Sequence, residues 1–148
     1  GKNHGFMPIV VKVVEQEEYD QWVNEKKQAA IQMAELTTKD WTAQELVERG
    51  ESVYAVNCVA CHQTNGQGIP GIFPALAGSD IVMNQKDKNI EILMEGVQGA
   101  AMNSFSYLSE VELAAVITYT RQSWGNAENG DGEIVVPKDI VDYKKPKI

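Results

Sequence analysis

The apolar positions of this chain change period along its length. The stretch FMPIVVKVV, residues 6–14, is β-branched and almost continuous, and Pro8 near its start predicts a short strand. Beyond it the period lengthens. Tyr19, Trp22, Val23, Ala30, Met33 and Ala34 recur at helical spacing among charged residues, predicting an amphipathic helix over residues 16–40. Glu17 and Glu18 near its start and Lys26 and Lys27 further on suit the helix dipole.

A capping box, Thr42 to Glu45, opens the next helix through LVERGESVYAVNCVAC, with Gly50 as the one interruption. NGQGIPGIFPALAGSD, residues 65–80, is too rich in Gly and Pro for anything but an irregular loop. DKNIEILMEG returns to helical spacing and ends at Gly96. VQGAAMNSFSYL is a second loop, and a second capping box, Ser109 to Glu112, starts the helix VELAAVITYTRQSW, which Gly125 closes. The remainder, residues 127–148, is turn-rich with a β-like patch at Ile134 to Val136, a tail that wraps on the domain or stays loose. The plan is all-α in four parts: a strand region at 1–15, a linker helix at 16–40, a helical domain at 41–126 and the tail. Its loops are long for its size, which marks them as functional or as lying on a cofactor.

Composition narrows the class. In 148 residues the chain carries 13 Lys and Arg against 21 Asp and Glu, a net charge of −8, which lacks the basic footprint of a nucleic-acid binder. Such acidity solvates the surface and steers basic partners equally well. No apolar run approaches the ~20 residues a transmembrane helix needs. The sequence shows no signal segment and no initiating methionine, which suggests a piece of something longer.

The chemistry concentrates in NCVACHQ, which holds both cysteines and one of the two histidines. A dithiol redox centre belongs beside a βαβ pattern, whereas a helix precedes this one. A structural zinc site wants four ligands, and only Cys58, Cys61, His62 and distant His4 are at hand. A plain disulfide leaves His62 unexplained. The C-x-x-C-H spacing instead fits covalent haem: thiols one helical turn apart reach two vinyl groups along one porphyrin edge, and His62 follows as proximal iron ligand. A buried porphyrin also supplies the core that short helices lack.

The sixth position of such an iron has several candidates. Met94 falls on a predicted helix and Met83 in a short packed stretch, while His4 lies far upstream. Met102 lies in a loop beside Gly99, Ala100 and Ala101, small residues that let backbone approach a flat ring. His/Met ligation raises the reduction potential, and a closed six-coordinate iron carries electrons without binding substrate.

Residues 41–126 resemble class I c-type cytochromes, through GESVYAVNCVACHQTNGQGIPGIFPALAGS and AAMNSFSYLSEVELAAVITYTRQSWGN. The resemblance implies the short-helix haem fold, and it implies that the Pro70 carbonyl accepts a hydrogen bond from the His62 ring. The family often has Pro after the axial Met; here Asn103 follows, which loosens the expected ligand loop. GKNHGFMPIVVKVVEQEEYDQW looks like the end of the copper-binding domain of cytochrome c oxidase subunit II. His4 and Met7 stand at the H-x-x-M spacing of that family's C-x-x-x-C-x-x-x-H-x-x-M centre, with Gly1 in the place after the second cysteine. Without the bridging thiolates these two bind copper weakly, so a dinuclear copper centre is expected only in the intact protein.

The order of the two likenesses is that of haem-fused subunit II in caa3-type oxidases. It implies an extracytoplasmic, periplasm-facing domain, membrane association only through upstream segments, and other oxidase subunits as partners. The electron donor would be a cytochrome or a quinol–cytochrome c reductase. A free carrier with an N-terminal extension is the alternative, and a haemless dithiol oxidoreductase is a third. Tyr54 and Phe73 are expected at the haem pocket or in the core, Tyr107, Tyr119 and Trp124 in the core, and Arg121 as a solvated cation.

Overall fold

The computed structural model describes residues 10–144 and divides the chain into two compact units, Gly1–Glu35 and Leu36–Ile148. Helix α1, Gln16–Thr38, makes up most of the first. It has no buried residue: Tyr19 and Trp22 pack ring on ring at 6.0 Å, yet both are about half exposed. Side-chain pairs along the helix support it. Gln16 donates to Asp20 at 2.9 Å and Gln21 to Glu25 at 3.1 Å, pairs four residues apart on one helix face.

The strand expected over residues 6–14 does not form where it can be seen. Residues 10–15 have no regular structure, and Val10, Val11 and Val13 are 86, 83 and 92% exposed. A strand needs a partner to complete its ladder, and no strand exists among the described residues to provide one. Residues 6–9 of that stretch, with His4 and Met7, lie outside the described residues.

The second unit is built on two helices, α2 (Ala43–Asn57) and α6 (Glu110–Gln122). Both begin with the expected reciprocal caps. Glu45 N–H donates to Thr42 Oγ1 at 3.3 Å while Thr42 N–H donates to Glu45 Oε2 at 3.0 Å, and Ser109 and Glu112 repeat the pattern. The helices cross with backbones in contact at Gly50, where a Cβ would lie 2.1 Å from the Ala115 carbonyl oxygen. Ala114 and Ala115 supply the matching flat face on α6. Leu46, Tyr54, Leu113, Val116 and Ile117 fill the core around the crossing.

Four short helices frame the rest: α3 (Val59–His62), α4 (Asp80–Asn84), α5 (Lys86–Glu95) and α7 (Asn126–Asn129). The tail then packs down as α8, Pro137–Lys144, and adds Val135 and Ile140 to the core at 0% exposure. Thr118 Oγ1 both donates to the Val135 carbonyl at 2.8 Å and accepts from its N–H at 2.9 Å. The patch at Ile134–Val136 is therefore held as a single extended segment and not as a strand.

Arg121 corrects an expectation. It is neither solvated nor free for a haem carboxylate: only 2% exposed, its Nε donates to the Glu133 carbonyl at 2.9 Å and Nη1 to the Val82 carbonyl at 2.7 Å, and Nη2 pairs with Asp131. A buried guanidinium stands only with its donors satisfied, and here α4 and the tail both satisfy it.

Candidate functional site

Cys58 caps α2, its N–H donating to the Tyr54 carbonyl at 2.9 Å, and opens the single turn of α3. The turn closes through Cys61 N–H and His62 N–H, which donate to the Cys58 carbonyl at 3.1 and 2.9 Å. Both thiols are free and half-buried, and with His62 they line a cavity of about 450 Å³. Burial, helped by the neighbouring Cys61 thiol, pushes the Cys58 thiol up to about 11, so it is neutral at physiological pH. Reactive dithiols work as thiolates with lowered values, so Cys58 is set against that chemistry.

The loop after α3 explains how the histidine is held. Ile69 and Phe73 close a tight turn, with N–H···O bonds of 2.9 and 2.8 Å in both directions. Gly68 N–H donates to the His62 carbonyl at 3.0 Å, and a Cβ there would lie 2.3 Å from the Phe73 carbonyl oxygen. Pro70 sits inside that turn, away from the cavity, and the returning arm brings the Pro74 carbonyl to 3.0 Å from His62 Nδ1. The acceptor is thus Pro74 and not Pro70, because the Ile69–Phe73 turn carries the chain past Pro70 before it meets the ring. With Nδ1 donating, the Nε2 lone pair is left as a metal ligand.

The second loop supplies a sulfur. Gly96 ends α5 at φ 75°, and a Cβ there would lie 2.7 Å from the Met102 carbonyl oxygen. Val97 N–H donates to that carbonyl at 2.9 Å, Ser104 Oγ to the Met94 carbonyl at 2.6 Å and Phe105 N–H to the Leu93 carbonyl at 2.8 Å. The loop is pinned to the end of α5 at the Met102 carbonyl and just beyond it, without a proline at 103. Met102, with Ala100 and Ala101, lines the cavity. Met83 and Met94 do not, and Met94 packs against the core cluster instead.

The aromatic expectations divide. Phe73 lines the cavity, whereas Tyr54 is core: its hydroxyl donates to the Gln63 carbonyl at 2.7 Å, and its ring packs 5.2 Å from Tyr119 and 5.4 Å from Trp124. Tyr107, expected in the core, is 71% exposed beside the cavity mouth, its hydroxyl donating to Asn57 Oδ1 at 3.3 Å. Two residues at the site were not singled out from sequence, Pro74 and Asn89. No local pattern marks either one.

The donor set fits haem. The cavity walls are apolar (Val53, Ile81, Val82, Leu93 and Phe105 among them) and its size is that of a cofactor pocket. Two thiols, an imidazole and a thioether all line the same space. Among the described residues, no group of three or more His, Cys, Asp or Glu side chains gathers to hold a bare metal ion. Residues 45–119 match the family model described as cytochrome C oxidase, cbb3-type, subunit III.

The chain belongs to the cytochrome c family. Its arrangement of helices is that of a class I cytochrome c domain, and the family implies haem c and electron transfer with redox partners. The chain is 38% identical over 97 residues to cytochrome c-552 of Thermus thermophilus, covering 56% of this chain and 73% of that protein. It is 32% identical over 92 residues to the cytochrome c subunit of alcohol dehydrogenase (quinone) from Gluconobacter oxydans, covering 55% of this chain but 19% of that protein. Cytochrome c oxidase subunit 2 of Alkalihalophilus pseudofirmus is 26% identical over 131 residues, covering 82% of this chain and 36% of that protein.

Proposed function

We propose that this cytochrome c domain is the electron-entry part of a terminal oxidase subunit II of the caa3 type, passing electrons to a dinuclear copper centre on the same polypeptide. The observation that carries the reading is the extent of the oxidase likeness. It takes in 82% of this chain, whereas the family model spans residues 45–119, so the likeness runs well outside the haem domain. The N-terminal residues support it, His4 and Met7 being the copper ligands that the intact protein would complete with upstream cysteines.

The roles of the chain's own residues follow from the site. Cys58 and Cys61 would hold the cofactor covalently through their sulfurs. His62 would offer Nε2 to the iron, its ring oriented by the Pro74 carbonyl. Met102 would offer its sulfur to the iron from the second loop. When bound, haem c supplies a one-electron iron couple at the raised potential of His/Met ligation. The apolar walls exclude water, and the net charge of −8 steers a basic donor, a cytochrome or the cytochrome c face of a quinol–cytochrome c reductase. Oxygen chemistry belongs to the other oxidase subunits. Among the described residues no helix is long and apolar enough to cross a membrane; the domain works on the extracytoplasmic side, where c-type haem is attached.

A free electron carrier is the second reading, favoured by the likeness that spans 73% of cytochrome c-552. Sequencing the native gene upstream of the Gly1 codon separates the two. A C-x-x-x-C whose second cysteine directly precedes Gly1, behind β-rich and membrane-spanning sequence, is the expected result. A signal peptide in that place would overturn the oxidase reading in favour of the carrier.

A further inference from the structure

Of the polar residues in the cavity wall, Asn57, Ser79, Asn89, Asn103 and Thr120, Asn89 carries a buried donor left without a partner. It is 5% exposed, on the second turn of α5, and its side-chain Nδ2 is buried with no hydrogen-bond partner. It lines the cavity together with Ile92 and Leu93, three and four residues on, so the three share one face of α5. An orphaned carboxamide inside a fold is destabilising and calls for an explanation. An apolar side chain in that place would carry no such cost. The group is kept polar among apolar neighbours, in the wall of a space that the family fills with a cofactor.

The same wall carries the axial loop. Leu93 accepts from Phe105 N–H at 2.8 Å and Met94 from Ser104 Oγ at 2.6 Å, so the end of α5 is bonded to the segment that follows Met102. Asn89 stands one helical turn before Leu93 on this wall. We infer that Asn89 is a positioning and tuning residue for the bound haem, its carboxamide donating a hydrogen bond to an acceptor on the Met102 side. Two acceptors share that chemistry, the Met102 sulfur and a haem carboxylate. Donation to either draws electron density away from the iron and favours the reduced state. The inference rests on haem occupying the cavity, as the proposed function has it.

The test is Asn89→Leu in the matured full chain, read by redox titration across pH, by the methionine-to-iron charge-transfer band and by the paramagnetically shifted Met102 methyl resonance. The midpoint potential is expected to fall below that of the parent. A moved charge-transfer band and methyl resonance with an unmoved pH profile identify the sulfur as acceptor. A displaced inflection in the pH profile with both signals unmoved identifies the carboxylate. An unchanged potential, band and pH profile overturn the inference, and a rise in stability alone would mark Asn89 as a mere packing flaw. If Asn89→Leu fails to mature, Asn89→Ala, which removes the donor without adding bulk or charge, must lower the potential, and parent-like behaviour overturns the inference equally. Failure of the parent chain to take covalent haem, seen as no absorbance after acid extraction, would instead sink the haem reading itself.

Discussion

The two sides of the cytochrome c domain are made differently. Where α2 meets α6, helix packs on helix with nothing between them, to the point that Gly50 lies against the backbone of Ala115. Where α2 and α6 face the loops after His62 and around Met102, the walls enclose a space of about 450 Å³. One side is finished by the polypeptide alone; the other is finished only with its cofactor. Left empty, a hollow of that size forfeits the contacts its lining would otherwise make. A cofactor filling that space would give the open side the packing that α2 and α6 already give the other.

The largest effect should come from the open side. Replacing Cys58 and Cys61 together by Ala should abolish covalent haem and with it cooperative unfolding, measured by haem absorbance after acid extraction and by circular dichroism on heating. Next comes the packed side. Gly50→Val should destabilise the loaded protein by about 3 kcal/mol or more, since neither backbone can retreat, and denaturant titration measures it. Gly71→Ala, at a position with φ 76° and no atom within 4 Å of the new Cβ, should cost only about 1–2 kcal/mol from backbone strain. A larger loss at Gly71 than at Gly50 would invert the comparison.

Asp131→Ala should cost about 3 kcal/mol, because it strips the carboxylate from a guanidinium that stays buried. The loss should appear at the tail first, as faster amide exchange at Val135. The smallest effect is expected at the cap of α6, where Ser109→Ala should cost about 1 kcal/mol. It carries a pH signature. The Ser109 hydroxyl and backbone N–H hold the Glu112 carboxyl below its ordinary value of 4.5, so this stabilisation is present above that value and is lost as pH falls through the lowered one. In Ser109→Ala the acid-induced part of the loss should shrink, as read from denaturation midpoints between about pH 5 and pH 3.

What was legible in the chain follows the range of each signal. Both capping boxes, the stop at Gly96 and the C-x-x-C-H turn are written within a few residues, and each stands where expected. Met102 was separable from Met83 and Met94 because a loop of small residues reads differently from a helix. The failures depended on contacts distant in sequence. Arg121 looks like any helical cation until Val82, Asp131 and the Glu133 carbonyl arrive around it. Pro70 and Pro74 are equivalent in a Gly/Pro-rich loop until the Ile69–Phe73 turn fixes which carbonyl meets His62. The β-branched run at residues 10–14 has the composition of a strand, but pairing is a property of two segments, and composition describes one.

Gly96 bears on how such a domain changes over generations. The space beside it is taken by the Met102 carbonyl, Asn103 and Ser104, so any side chain there would push the axial loop off α5. Residues 98–101 are exposed, and Gly99 has open space around it. The hinge of the loop is thus closed to mutation by its neighbours, whereas at Gly99 only the left-handed backbone, φ 79°, resists a side chain. A lineage can change exposed Gln98 and leave Met102 bonded to the end of α5.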